Sequence, residues 1–230
     1  MRLIMVRHGE PDYVKDCLTE NGRYQAKAVA GRLMAENIQA VYSSPMGRAR
    51  ETAAYTAHLL ELPVTVLDFM HEITWGGSGI PEEGHPWTLS DRMIIAENFD
   101  FSTDDWRNHP YYAGNAATAC FDEVSRQFDS FLENQGYIHE GRRFFCVKNI
   151  SRTIALFSHG GSGACVLSHM LSLPFPYVIT VMPYDFTSVI VLDFPNKPGS
   201  YVYPRLELFN DVTHLVQSNS FSAGAWHPDR

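Results

Sequence analysis

Short apolar runs alternate with amphipathic stretches along most of this chain. Leu3 to Val6 form one unbroken apolar run, which reads as a buried strand. In TENGRYQAKAVAGRLMAENI, residues Ala26, Val29, Ala30, Leu33 and Met34 recur at helical spacing, with Thr19 placed to cap the helix. AVYSS is a short strand, and PMGRARETAAYTAHLLE a second helix, for which Ser44 suits the N-cap and Pro45 the first helical position. VTVLDF reads as another strand. FDEVSRQFDSFLENQG is a clear helix, with Phe121, Val124, Phe128, Phe131 and Leu132 on one face. TIALFS is a buried strand that turns into a helix at GGSGACVLSHMLS. TSVIVLDF and YPRLELFN are late strands, and the tail after Asn210 is polar and irregular.

Strands alternating with helices predict an α/β fold. It should be a three-layer sandwich, with a mostly parallel sheet and helices on both faces. The short link PNKPGSY between the last two strands predicts at least one antiparallel member. Residues 73–120 break the rhythm, being rich in Gly, Pro and aromatics, with a helical signal only around DRMIIAENF. The expected organisation is a single domain over 1–230 carrying an insertion at about 73–120.

Composition narrows the function. With 45% hydrophobic and 19% charged residues the chain has the balance of a globular protein. A net charge of -8 argues against a nucleic-acid or anionic-membrane partner, so an anion site has to be a local concentration of positive charge. No apolar run is long enough to span a bilayer. No leader pattern opens the chain, so a cytoplasmic location is expected. Cys17, Cys120, Cys146 and Cys165 are scattered and form no CxxC pair, which fits reduced thiols. Nothing here encodes an oligomeric state.

In open α/β sheets, ligands bind where the carboxyl ends of strands feed the loops. Three such ends carry matching chemistry: Arg7-His8-Gly9-Glu10, then SSPMGRARETA with Arg48 in an early helical turn, then Ser158-His159-Gly160-Gly161. Singly, each is as readily an ordinary turn or a solvated helix arginine. Together they bring two arginines, two histidines, glycine amides and two helix N-termini to one sheet edge. Arginine forks and helix N-termini suit a phosphoryl group. Gly160 lets backbone approach a ligand, and a histidine can act as nucleophile.

LIMVRHGE, LTENGRYQA, SSPMGRARETA, HEITWG and ALFSHGG, in this order, resemble the histidine phosphatase superfamily, the phosphoglycerate-mutase-like group. TSVIVLDF and LELFNDVTHL are similar to the end of that family's domain. The resemblance implies that His8 attacks phosphorus and carries a phosphohistidine, while Arg7, Arg48, His159 and Gly160 bind the phosphate. It implies no cofactor and no metal. A leaving alkoxide needs an acid. Glu72, in FMHEITWG, matches the family's glutamate, and Glu82 and Glu83 in IPEEGHPW are its rivals. Glu10 is expected to hold the nucleophile loop.

The expected reaction is hydrolysis of a small phosphorylated metabolite, with inorganic phosphate as product. Within residues 73–118 acidic residues outnumber basic ones seven to two, with Trp75, Trp87, Trp106, Tyr111 and Tyr112 among them. Such a cover favours a phosphomonoester with an apolar or neutral body, although the same aromatics could equally form a small core under the loop. The first loop, PDYVKDC, is short, which favours hydrolysis over mutase-type phosphoryl transfer. A silent phospho-ligand binding protein would leave intact catalytic residues unexplained. A metal hydrolase built on His71, His85 and His109 would leave both arginines unexplained.

Overall fold

The computed structural model describes residues 1–77 and 104–216. In chain order the first strands are β1 (Arg2–Arg7), β2 (Pro11–Asp12), β3 (Cys17–Leu18), β4 (Ile38–Ser43) and β5 (Val64–Val66). Then come β6 (Tyr137–Glu140), β7 (Arg143–Cys146), β8 (Thr153–Ser158), β9 (Val189–Asp193), β10 (Ser200–Val202) and β11 (Arg205–Asp211). The described helices are α1 (Glu20–Leu33), α2 (Gly47–Leu60), α3 (Ala116–Asn134), α4 (Gly160–Leu171), α5 (Phe175–Val181) and α6 (Thr213–Val216).

The central sheet has the order β11-β9-β1-β8-β4-β5. β1, β8, β4 and β5 run parallel, and β9 runs antiparallel to both β1 and β11. The alternation of side chains along a strand sorts the core into two halves. Leu3 and Met5 pack with Leu156, Leu192, Phe128 and Leu167 on one side. Ile4 and Val6 pack with Phe157, Val191, Val29 and Ala53 on the other. Helices α3 and α4 thus cover one face and α1 and α2 the other, which completes the three-layer α/β sandwich. Burying each large aliphatic or aromatic side chain contributes about 1.5–3 kcal/mol, so the strand ends rest on a rigid base. Among the described residues no helix is long and apolar enough to cross a membrane.

Several local expectations need correction. Thr19 does cap α1, its side chain accepting from Gly22 N. Ser44 does not cap α2, and Pro45 is not its first residue: the helix begins at Gly47, behind Met46, which makes no side-chain cap bond. A Cβ on Gly47 would stand 2.1 Å from the Asp16 carbonyl oxygen, so a side chain there would push the two loops apart. α3 begins at Ala116 under an Asn115 cap, five residues before the clear apolar periodicity. The link PNKPGSY contributes to β10, which pairs with β7 in a separate sheet of order β10-β7-β6. After Asn210 the chain finishes β11 and makes the short turn of α6 before the described residues end. DRMIIAENF lies outside the described residues.

Candidate active site

β1, β8 and β4 are neighbours in the sheet, so their carboxyl ends deliver His8, His159 and Ser44 to adjacent positions. Backbone bonds continue past the strands: His8 N donates to the Ser158 carbonyl at 2.9 Å, and Ser44 N to the Phe157 carbonyl at 2.9 Å. The His8 and His159 rings lie 5.1 Å apart, and both are almost fully buried.

The bonding of His8 fixes its tautomer. Nδ1 lies 2.7 Å from the carbonyl oxygen of Gly9, which can only accept, so Nδ1 carries the proton and Nε2 keeps its lone pair. Arg48 Nε donates to that lone pair at 3.3 Å. Burial, with the positive charge of Arg7 beside it, pushes the imidazole down to about 3, so His8 is neutral at physiological pH.

His159 is held from the other side. Its Nε2 lies 2.7 Å from Ser44 Oγ, which also accepts from Met46 N at 3.2 Å. Its Nδ1 is buried without a hydrogen-bond partner in the protein. Burial, the adjacent His8 and both arginines hold His159 well below the ordinary histidine range. If Ser44 donates to Nε2, Nδ1 carries an N–H free to meet an anionic oxygen.

The two arginines are oriented differently. Arg48 Nη1 donates to Asp16 Oδ1 at 2.6 Å, while Asp16 Oδ2 accepts from Gly47 N at 2.6 Å. Burial opposes the charge of Asp16, but the Gly47 amide and the Arg48 guanidinium outweigh it and hold the carboxyl below its usual range. Arg7 Nη1 donates to the Tyr184 carbonyl at 2.6 Å, and its guanidinium lies 4.3 Å from the centre of the Phe186 ring. Arg7 Nε is buried without a protein partner.

Glu72 stands over the start of α4. Its Oε1 accepts from the N–H groups of Ile73, Gly161 and Ser162, each at 3.0 Å. Burial nevertheless raises its pKa, against the pull of those three amides and of Arg7. A Cβ on Gly161 would lie 2.6 Å from Glu72 Oε1 and 2.5 Å from Ile73 Cγ1, so this approach needs glycine. Glu72, Arg7 and Gly160 line a cavity of about 280 Å³ whose far wall includes Ile179, Met182 and Asp185.

The structure therefore brings Arg7, His8, Arg48, Glu72, His159 and Gly160 together. Glu10 stays outside the cluster, where Thr19 Oγ1 and Asn21 Nδ2 donate to its carboxylate at 2.7 and 2.8 Å. Glu82, Glu83, His85 and Trp87 lie outside the described residues. Trp106 and Tyr112 are buried in the main core, their rings 5.5 Å apart, and Trp75 packs on Tyr112 at 5.8 Å. These aromatics build core beneath the site. Asp16, Tyr184 and Phe186 went unread in the sequence, because a lone acid in a loop carries no pattern, and Ser44 was read only as a helix cap.

The chain is similar to several known proteins. A probable phosphatase of Schizosaccharomyces pombe is 35% identical over 86 residues, which is 33% of this chain and 41% of that protein. A probable phosphoglycerate mutase of Photorhabdus laumondii is 23% identical across 94% of this chain and 95% of its own length. A phosphoserine phosphatase mutant of Entamoeba histolytica, solved with phosphoserine, superimposes with a TM-score of 0.63 at 22% identity, covering 93% of this chain and 98% of that one. The family model described as histidine phosphatase superfamily (branch 1) matches residues 3–205, and the chain belongs to that superfamily.

Proposed function

We propose that this histidine phosphatase hydrolyses a small phosphomonoester through a phosphohistidine on His8. The observation that carries the proposal is the tautomer of His8. The Gly9 carbonyl holds the Nδ1 proton and leaves the Nε2 lone pair among Arg48, Arg7 and His159. The two guanidiniums and His159 Nδ1–H gather the phosphoryl oxygens and stabilise the charge that builds up on them. His8 Nε2 forms the N–P bond as the ester O–P bond breaks. Glu72 then gives the leaving oxygen its proton from Oε2, since Oε1 is engaged by three amides. Water, deprotonated by the same carboxylate, next attacks phosphorus and releases phosphate and neutral His8.

Hydrolysis is favoured over mutase-type transfer by the cavity lining, where Arg7 is the one lysine or arginine among the described residues. A second phosphate or a carboxylate on the substrate would find little to bind it there. Ile179, Met182 and Pro183 favour an apolar or neutral body. We assign residues 73–120 to one domain with the rest of the chain, as an insertion, and place the protein in the cytoplasm. The four cysteines, all free, support a reducing compartment.

The test is a screen of phosphomonoesters combined with alkaline quenching of 32P-labelled substrate. An alkali-stable, acid-labile label on the wild type that is absent from His8→Ala supports the mechanism. Turnover that dies with EDTA and returns with magnesium would replace it with metal-assisted hydrolysis.

A further inference from the structure

A second cluster of metal-ligating side chains lies away from the phosphate site. Asp129 on α3, His139 on β6 and His169 in the last turn of α4 converge on one point. His169 stands nine residues along α4 from Gly160, so about 13 Å of helix separates it from the candidate active site.

Asp129 Oδ1 lies 2.9 Å from His139 Nδ1 and 2.8 Å from His169 Nε2, and the two nitrogens are 3.2 Å apart. Hydrogen bonds serve this triangle poorly. If both rings donate, two N–H groups crowd side by side onto one oxygen. If one ring presents its lone pair, that lone pair faces the carboxylate at under 3 Å. A cation satisfies all three ligand atoms at once. Around a tetrahedral zinc with ligands at roughly 2.0–2.1 Å the three atoms would stand about 3.3–3.4 Å apart, so an ion needs them to spread by only a few tenths of an ångström.

The surroundings hold the ligands in place. The His139 ring is stacked on Phe144, with centroids 4.3 Å apart and planes at 7°, which fixes the direction of Nδ1. The Asp129 side chain is 36% exposed, which gives an ion a path in and leaves room for a water ligand. Two imidazoles and a carboxylate are ligands for zinc and its neighbours in the first transition row, not for calcium or magnesium.

We propose that Asp129, His139 and His169 form a divalent transition-metal site of the zinc type, crosslinking α3, β6 and α4 behind the catalytic layer. The ion ties the consecutive elements α3 and β6 to the later helix α4 and takes no part in phosphoryl transfer.

The test uses the full chain, stripped with chelator and titrated in phosphate-free buffer with Co²⁺ and then Zn²⁺. One equivalent of Co²⁺ should bind with visible absorption bands that Zn²⁺ abolishes, and Zn²⁺ should raise the thermal midpoint. His139→Gln with His169→Gln should weaken binding by at least about 100-fold. Asp129→Asn, which keeps size and hydrogen bonding, should weaken it by about 10-fold or more while turnover of a phosphomonoester stays unchanged. Absence of saturable binding would leave only a hydrogen-bonded Asp–His–His triad and overturn the proposal. Binding undiminished in both the double variant and Asp129→Asn would overturn it too, because the ion would then sit elsewhere.

Discussion

Asp16 grips Arg48 through Oδ1 at 2.6 Å and the first amide of α2 through Oδ2 at the same distance. One carboxylate therefore sets both the pitch of the helix start and the direction of the guanidinium. Arg48 is nearly buried whereas Asp16 is partly exposed, so the pair is screened on one side only.

Asp16→Ala should leave the fold intact and let the Arg48 side chain wander. Loss of such a contact corresponds to about 1–2 kcal/mol, or roughly 5- to 30-fold in kcat/KM. Vanadate inhibition should weaken in parallel, because in the proposed mechanism the same guanidinium holds the phosphoryl oxygens. Unchanged vanadate affinity in Asp16→Ala would show that Arg48 is oriented by its helix alone.

His8→Ala should stay folded and lose phosphatase turnover by at least about 10³-fold, since the proposed nucleophile itself is removed. Circular dichroism checks the fold and a phosphomonoester assay the loss. Near wild-type turnover would remove His8 from the chemistry.

Glu72→Gln should separate substrates by leaving group. An alkyl phosphate expels a basic alkoxide and needs the acid, whose contribution is typically about 10²–10⁴-fold. p-Nitrophenyl phosphate expels a weak base, and its loss should be distinctly smaller. The raised pKa of Glu72 keeps it protonated further up the pH scale. Wild-type turnover of alkyl esters should accordingly fall as pH rises through that pKa, and the variant should lack this limb. Equal slowing of both substrates would move the acid to another residue, with Glu82→Gln and Glu83→Gln the next variants to assay.

Acid should destabilise the protein through its buried histidines. The folded-state pKa of His8 is lowered to about 3 against an ordinary 6.5. Between those values the unfolded chain binds the extra proton, so stability falls as pH drops from about 6.5 toward 3. One such group contributes at most about 1.4 kcal/mol per pH unit. His8→Gln should flatten the stability profile in that window, as read by urea unfolding at several pH values. A profile parallel to that of the wild type would mean that His8 titrates normally.

Gly161→Ala should impair the site without replacing a reacting group. The added methyl would meet Glu72 Oε1 and Ile73 at under 3 Å, and both must shift. Alkyl-ester turnover should drop more than p-nitrophenyl turnover, echoing Glu72→Gln, with some loss of stability. A uniform loss on both substrates would indicate collapse of the α4 start instead.

The linear pattern alone determined the α/β alternation, the antiparallel ending and the three polar strand ends. Each is a local signal: an apolar run, a helical period, or a polar residue directly after a strand. It also singled out Arg7, His8, Arg48, Glu72, His159 and Gly160 as candidates, since their spacing from those strands is short. Only the tertiary structure decided what lies between elements. The β6–β7 hairpin was not legible, because strands with one exposed and one buried face and few residues leave little periodicity. Ser44 looks like a helix cap beside a proline, yet the parallel pairing of β4 with β8 delivers it to His159 at 2.7 Å. The partnership of Asp16 with Arg48, and the meeting of Asp129, His139 and His169, join residues up to 40 positions apart. Sequence separation says nothing about such contacts, because they follow from strand order and helix packing, which are fixed only when the whole core closes.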